Sequence, residues 1–260
     1  MSKIFPIASG SSGNCTYIGQ GKRGLLIDAG VSARTITNAL TDAAIDPRSI
    51  CGIFITHNHI DHTNGLRVFA DKYSIPTFAT KETIEGLLKN ACNCPKDIHI
   101  IEGKIDVEGF SVKSFSTSHD CPGSCGYIVT LPDETKCGVC TDLGIVSEEV
   151  RQAITGCSAL LIESNHDVTM LQKGGYPEHL KRRILSDHGH LSNINCAKEL
   201  SKLVESGTTR IILGHLSREN NDPAIAKSCA VAALLDSGFL ENDDYILYVA
   251  PPKNGKVILF

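Results

Sequence analysis

The chain has 260 residues, 42% of them hydrophobic, with a formal net charge of −4 and a pI of about 6.2. That is enough apolar material for a full core, and bulk charge alone advertises no polyanion partner, although phosphate binding needs only local charge. The start MSKIFPIASG lacks an apolar signal core, and no run reaches the roughly eighteen apolar residues of a membrane span, so the expectation is a cytoplasmic protein with no membrane partner.

In chain order, KIFPIA and CTYIG read as strands. Between them lies SGSSGN, Ser9 to Asn14. Its backbone N–H groups could form an anion nest with Ser11 and Asn14 facing substrate, or the stretch is a plain tight turn. GLLIDAG reads as a third strand, followed by a helix from Ser32 through Ala43, the strand GIFIT, and a helix from about Asn64 to Tyr73. IPTFAT, FSVKSFSTS, GYIVTL and KCGVCT continue the strands, and a helix follows Ser147. NINCAKELSKLVES is helical after Ser192 and stops at Gly207. RIILG is a strand, and Asp222-Pro223 is an N-cap with proline at N1. The ending YILYVAPPKNGKVILF is expected to be a hairpin turning at Lys253-Asn254-Gly255. Mixed strands and helices give an α/β class (α+β in some schemes), with sheets covered on one face by another sheet. The chain is read as one domain, residues 1–260.

The eleven cysteines are an odd number, without a signal segment, and read as reduced thiols. Cys121 with Cys125, and Cys137 with Cys140, have zinc-like spacing. KCGVCTD reads as a strand, however, where residues three apart face opposite sides, so small buried hydrophobes are the expected role.

Four strand-like runs lead into a metal-type side chain: GIFIT into His57, FSVKSFSTS into His119, KCGVCT into Asp142 and RIILG into His215. Strand ends fix direction and leave loops free to wrap a substrate. In THNHIDH, alternation puts His57 and His59 on one side, while Asp61 and His62 lie on the following turn. Imidazole and carboxylate suit borderline divalent metals such as zinc, manganese or iron. The set is too large for one tetrahedral ion; two ions about 3.5–4 Å apart, sharing Asp142 and a water, would use all seven residues. His99 reads as surface strand and His179 as solvated helix.

His57-Asn58-His59-Ile60-Asp61-His62 resembles the H-x-H-x-D-H signature of the metallo-β-lactamase superfamily, and His119, Asp142 and His215 resemble its remaining ligands in order and spacing. The resemblance spans nearly the whole chain. It implies a four-layer αβ/βα sandwich, two facing mixed sheets with helices outside and two metals at one edge. SGSSGNCTYI, LLIDAGVS, SHD, CTDLG, LIESNHDVTML, SDHGHLSN and HLSRENN together resemble the YycJ/WalJ group of metallo-hydrolases. That group is associated with nuclease activity, in particular 5′-to-3′ DNA exonuclease action, which makes nucleic acid the implied partner. The chain departs from many relatives at Asn58, where they carry glutamate, and in the cysteine-rich CPGSCGY after His119, to which no role attaches.

SDHGHLSNINCA resembles the glycine-histidine-serine segment of ribonuclease Z. It implies His190 as proton donor, Glu163 of LIES as the group that orients it, and Asn165, His166, His188 and Ser192 as phosphate contacts. The alternative is that His188 and His190 merely decorate the following helix. The implied activity is a metal-dependent phosphodiesterase in which Asp61 both binds metal and handles the nucleophile's proton. A small-substrate hydrolase acting on a thioester, lactone, β-lactam or cyclic nucleotide, and a non-catalytic scaffold, are the rival readings. The chain has no room for a large inserted cap domain and no glycine- and proline-rich arm, which favours a simple hydrolase or an exonuclease.

Overall fold

A strand covered on both faces shows no polar alternation, because each neighbour in sequence enters a different apolar layer. Leu25-Leu26-Ile27 and Ile211-Ile212-Leu213 are built this way. Leu25, Ile27 and Ile212 join one core cluster, while Leu26 joins a second and Ile211 and Leu213 a third. The computed structural model describes residues 1–89 and 94–260, and among them two sheets of seven strands form.

The first sheet contains β1 (Ser2–Ala8), β2 (Cys15–Gln20), β3 (Arg23–Ile27), β4 (Ile50–Ile55), β5 (Thr77–Ala79) and β6 (Ile98–Ile100) in that order. Helices α1 (Ala33–Asp42), α3 (Leu66–Tyr73) and α4 (Lys81–Lys89) bury Ile36, Leu40, Leu66, Phe69 and Leu87 against it, and the short α2 (Ile60–Thr63) precedes α3. The second sheet runs in reverse order from β13 (Ile246–Val249) through β12 (Arg210–Gly214), β11 (Ala159–Glu163), β10 (Lys136–Cys140), β9 (Cys125–Thr130) and β8 (Phe110–Ser116) to β7 (Lys104–Val107). Helices α5 (Glu148–Ile154), α8 (Asn193–Glu205) and α9 (Pro223–Asp236) cover its outer face through Val150, Ile154, Leu200, Leu203 and Leu234. Between α5 and α8 come α6 (Val168–Lys173) and α7 (Glu178–Ile184). Ile4, Ile18, Phe54, Tyr127, Val139 and Leu161 from both sheets share the middle layer, which completes the expected sandwich.

The start signals act as expected. Ser32, Ser147, Ser192 and Asp222 each accept a hydrogen bond from a backbone N–H in the first turn of the helix that follows. Cys137 and Cys140 are buried in different layers, the first between the sheets and the second under the helices, so they do not face one ion. His99 and His179 are exposed on β6 and α7. No described helix is long and apolar enough to cross a membrane.

One expectation changes. The C-terminal hairpin does not form: β13 lies parallel to β12, whereas β14 (Ile258–Leu259) lies antiparallel to β1 in the other sheet. Pro251 and Pro252 have no N–H for a ladder, and Gly255 passes so close to Pro6 that a Cβ would lie 1.8 Å from its carbonyl oxygen. The helix expected from about Asn64 to Tyr73 forms as α3, and Gly65, between α2 and α3, lies so close to Val31 that a Cβ would sit 2.0 Å from its oxygen. Close backbone approach outranks local turn chemistry at the C-terminal segment.

Candidate metal centre

The loop after β4 carries most of the cluster, and a buried carboxylate fixes its entry. Asp28, 2% exposed, accepts hydrogen bonds from Thr56 N at 2.9 Å and from Thr56 Oγ1 at 2.9 Å. The same Asp28 accepts from His62 Nδ1 at 2.7 Å. Asn14 N donates to the Asp61 carbonyl at 2.7 Å, and Gly30 lies so near that a Cβ would sit 1.6 Å from that oxygen. SGSSGN and LLIDAG therefore clamp the ligand loop from behind.

Four imidazoles are oriented through one ring nitrogen, leaving the other for the centre. Nδ1 of His57 lies 3.0 Å from Thr56 Oγ1, that of His62 on Asp28, that of His119 3.3 Å from Gly189 O, and that of His215 2.6 Å from Glu163. The remaining ligand atoms gather in overlapping groups within 4.8 Å: His57, His59 and His119; Asp61, His62 and His215; and His57, His62 and Asp142, which joins the first two. All seven sequence-expected ligands are thus brought together. His119 Nε2, His215 Nε2 and Asp142 Oδ2 are buried without a hydrogen-bond partner in the described structure. Buried polar atoms are rarely left unpaired, and three of them converging beside further imidazoles and a carboxylate fit divalent cations. The backbone contributes too: Asp28, Asp142 and His215, each within two residues of a strand end, take left-handed φ values of 62°, 57° and 55°.

The electrostatics divide the histidines. Burial, reinforced by the neighbouring imidazoles, lowers His57 well below the usual histidine range. Burial also opposes charge on His62, but Asp28 and Asp142 outweigh it and raise the group to about 9. The proton this places on His62 Nε2 is the one a cation would displace.

Glu163 is fully buried at the end of β11. Its Oε1 accepts from Nδ1 of both His190, at 2.9 Å, and His215, at 2.6 Å. Its Oε2 accepts from Leu143 N at 3.2 Å and Leu191 N at 3.0 Å. Asp142, Glu163, His190 and His215 have metal-type spacing, but four donors already occupy the Glu163 oxygens. It orients His190 and His215.

A cleft of about 260 Å³ opens on the cluster, lined by Ser11, His59, Asp61, His119, Asp142, Asn165, Tyr176, Leu180, Arg183, Ile184, His190, His215 and Ser217. Among the expected substrate contacts, Ser11 and Asn165 line it. Asn14 does not: it is buried behind the ligands, with Nδ2 3.0 Å from His62 Nε2. His166 is buried and outside the cleft lining, Ser192 caps α8, and His188 is exposed away from the lining. Tyr176, Leu180, Arg183, Ile184 and Ser217 were not anticipated, because only the fold brings their loops to the cluster. A larger cavity of about 600 Å³ on the second sheet contains none of the ligands.

Asn58 and the CPGSC segment explain each other. Asn58 packs on α4, where a Cβ on Gly86 would lie 1.9 Å from its Nδ2, and its Oδ1 accepts from Cys121 Sγ at 2.9 Å. Gly123 O accepts from Thr80 Oγ1 at 2.9 Å, and Cys125 N donates to Thr56 O at 3.1 Å. The segment ties the His119 loop to the His57 loop, and Asn58 stays outside the ligand set.

The sequence pattern described as the Metallo-beta-lactamase superfamily matches residues 8–215. Exodeoxyribonuclease YycJ of Bacillus anthracis is 36% identical over 250 residues, 95% of this chain and 94% of that protein. Exodeoxyribonuclease WalJ of Streptococcus pneumoniae is 36% identical over 251 residues, 95% of this chain and 93% of that one. Among solved structures, zinc-bound PqqB of Methylobacterium extorquens shares the fold, with a TM-score of 0.73 at 16% identity over 99% of this chain and 100% of that one.

Proposed function

Because this chain belongs to the metallo-beta-lactamase superfamily, we propose that it is a DNA exonuclease that works from the 5′ end with two divalent metal ions. The observation that carries the reading is Glu163 joining the ligand His215 to a second, cleft-facing histidine, His190. A non-catalytic metal scaffold has no use for that second histidine. The near full-length relatives named as exodeoxyribonucleases support DNA as the substrate.

The residues divide the work as follows. His57, His59 and His119 would hold one ion and Asp61, His62 and His215 the other, with Asp142 between them. Bound ions lower the pKa of water towards neutrality and offset charge developing on phosphate. Asp61 lines the cleft with 21% of its side chain exposed, and it is the carboxylate placed to take up the water's proton. The water oxygen bonds to phosphorus as the bond to the 3′ oxygen breaks. His190 delivers the proton that this oxygen needs. Burial alone would lower the His190 pKa, but Glu163 and Asp142 outweigh it and raise the group, which favours the protonated donor. Asn165 is held by its own hydrogen bond to His215 O at 2.8 Å, beside Ser11 and Ser217 on the cleft wall.

The test is digestion of 5′-end-labelled duplex DNA with manganese or zinc, with and without chelator, beside the Asp61→Ala variant. Stepwise release of nucleotides from the 5′ end, abolished by chelator and by Asp61→Ala, is expected. Hydrolysis of bis-p-nitrophenyl phosphate with no attack on DNA would refute the nuclease reading and leave a small-diester hydrolase. No turnover of either substrate with metal bound would leave only a scaffold.

A further inference from the structure

The cleft has two unlike walls. One carries small polar groups, Ser11, Asn165 and Ser217; the other is α7 with Tyr176, two residues before it, presenting Tyr176, Leu180, Arg183 and Ile184. Tyr176 is half-buried and, among the described residues, has no hydrogen bond, ring contact or ion pair. An aromatic side chain at the mouth of a site with no partner inside the protein presents its face to whatever enters. Arg183 is half exposed and paired with Asp120, the residue after the ligand His119.

This wall is attached to the proton donor. His190 N donates to Ile184 O at 3.0 Å, and Gly189 fits so tightly under α7 that a Cβ would lie 2.3 Å from the oxygens of Arg183 and Ile184. The nucleoside whose 3′ oxygen receives the His190 proton therefore lies on the α7 side of the cleft. In 5′-to-3′ digestion that nucleoside is the terminal one, the unit that leaves.

We propose that Tyr176, backed by Leu180 and Ile184, is a stacking platform for the base of the departing 5′-terminal nucleotide, with Arg183 turning from Asp120 to its phosphate. The assignment rests on the nuclease reading of the same site and adds a determinant to it. The cleft, about 260 Å³, is small beside the roughly 300–1,000 Å³ of ordinary ligand pockets, and one stacked base suits it better than a base pair. The terminal base must leave its partner before it stacks, so single-stranded and frayed 5′ ends are the preferred substrates. Stacking on an aromatic tolerates any base, because every base offers a π face.

The experiment compares first-nucleotide release, in manganese, from two single-stranded oligonucleotides that differ only in the terminal residue, a natural nucleotide or an abasic tetrahydrofuran. The wild type is expected to favour the natural end by roughly 5- to 150-fold, the range that base–aromatic stacking supplies. Tyr176→Ala should bring that ratio close to one, and Tyr176→Phe, which keeps the ring, should preserve it. An unchanged ratio in Tyr176→Ala, or no preference in the wild type, overturns the platform while leaving the nuclease intact. No release from either DNA, with bis-p-nitrophenyl phosphate still hydrolysed, overturns the nuclease reading and the platform with it. If Tyr176→Ala melts below the assay temperature, the wild-type ratio and its retention in Tyr176→Phe still decide the matter.

Discussion

Replacing Glu163 with glutamine keeps shape and removes one acceptor. The carboxylate receives two imidazole N–H groups at Oε1 and two backbone N–H groups at Oε2. A glutamine has one oxygen and an amide that only donates. The backbone donors of Leu143 and Leu191 cannot reverse, so the oxygen stays with them and the amide meets His190 and His215. Both rings must then accept at Nδ1 and move their proton to Nε2. For His215 that nitrogen is buried and otherwise free, so a proton there competes with the metal. Loss of this kind of supporting contact weakens metal binding by about 10–100-fold, and each buried pair left mismatched costs about 1–3 kcal/mol. His190 loses the carboxylate that supports its charged form as well, and loss of general-acid assistance costs about 100-fold or more in rate. Competition with a chromophoric chelator would report metal affinity, and end-labelled DNA would report kcat at saturating metal. Glu163→Gln should fall in both, whereas His190→Ala should fall in rate alone. Wild-type metal affinity in Glu163→Gln would refute the claim that this carboxylate sets the His215 tautomer.

Three further outcomes are expected. Gly30→Ala would place its Cβ 1.6 Å from Asp61 O and 2.7 Å from Asn14 N, both backbone atoms; it should cost about 1–3 kcal/mol or more and weaken metal binding together, and a wild-type melting curve would contradict the clamp. His166 is held down to about 4 by burial, against an unfolded value of about 6.5. Its neutral form therefore stabilises the fold fully above pH 6.5, and about 3 kcal/mol is lost as pH falls to 4. His166→Phe should flatten urea-derived stability across that window, and an equal slope would show that the histidine is not buried neutral. Metal at 100 times its dissociation constant should stabilise the fold by about 2.7 kcal/mol, seen as a melting shift of roughly 5–10 °C, and chelator should reverse it.

The candidate ligands were legible because they are clustered and typed: H-x-H-x-D-H is local, and His119, Asp142 and His215 each follow a strand-like run. Glu163 and His190 were legible through resemblance alone, since nothing local distinguishes LIES or HGHL from core and cap. Asp28 was passed over although DAG lies in plain view, because its partners Thr56 and His62 are 28 and 34 residues away. Tyr176, Arg183 and Ser217 were hidden for the same reason. The hairpin failed where turn chemistry was read locally while Gly255 packed against Pro6 and β14 paired with β1, neighbours from the other end of the chain.

One class of information is absent from any local pattern. Asp28, Asp142 and His215 carry left-handed backbones, a conformation that costs a residue with a Cβ on the order of 1 kcal/mol or more. Glycine would adopt it freely, but glycine offers no carboxylate or imidazole. An extended continuation would send alternate side chains above and below the sheet, away from a shared point. A left-handed residue at or near the strand end turns the side chain back across the sheet edge, where strands from both sheets can aim at one centre. His215 N also donates to Ser9 Oγ at 2.7 Å, so a residue from the first strand–loop junction pins the last ligand of the second sheet. The strain is thus spread over three strand ends and opposed by buried hydrogen bonds at Asp28 and His215.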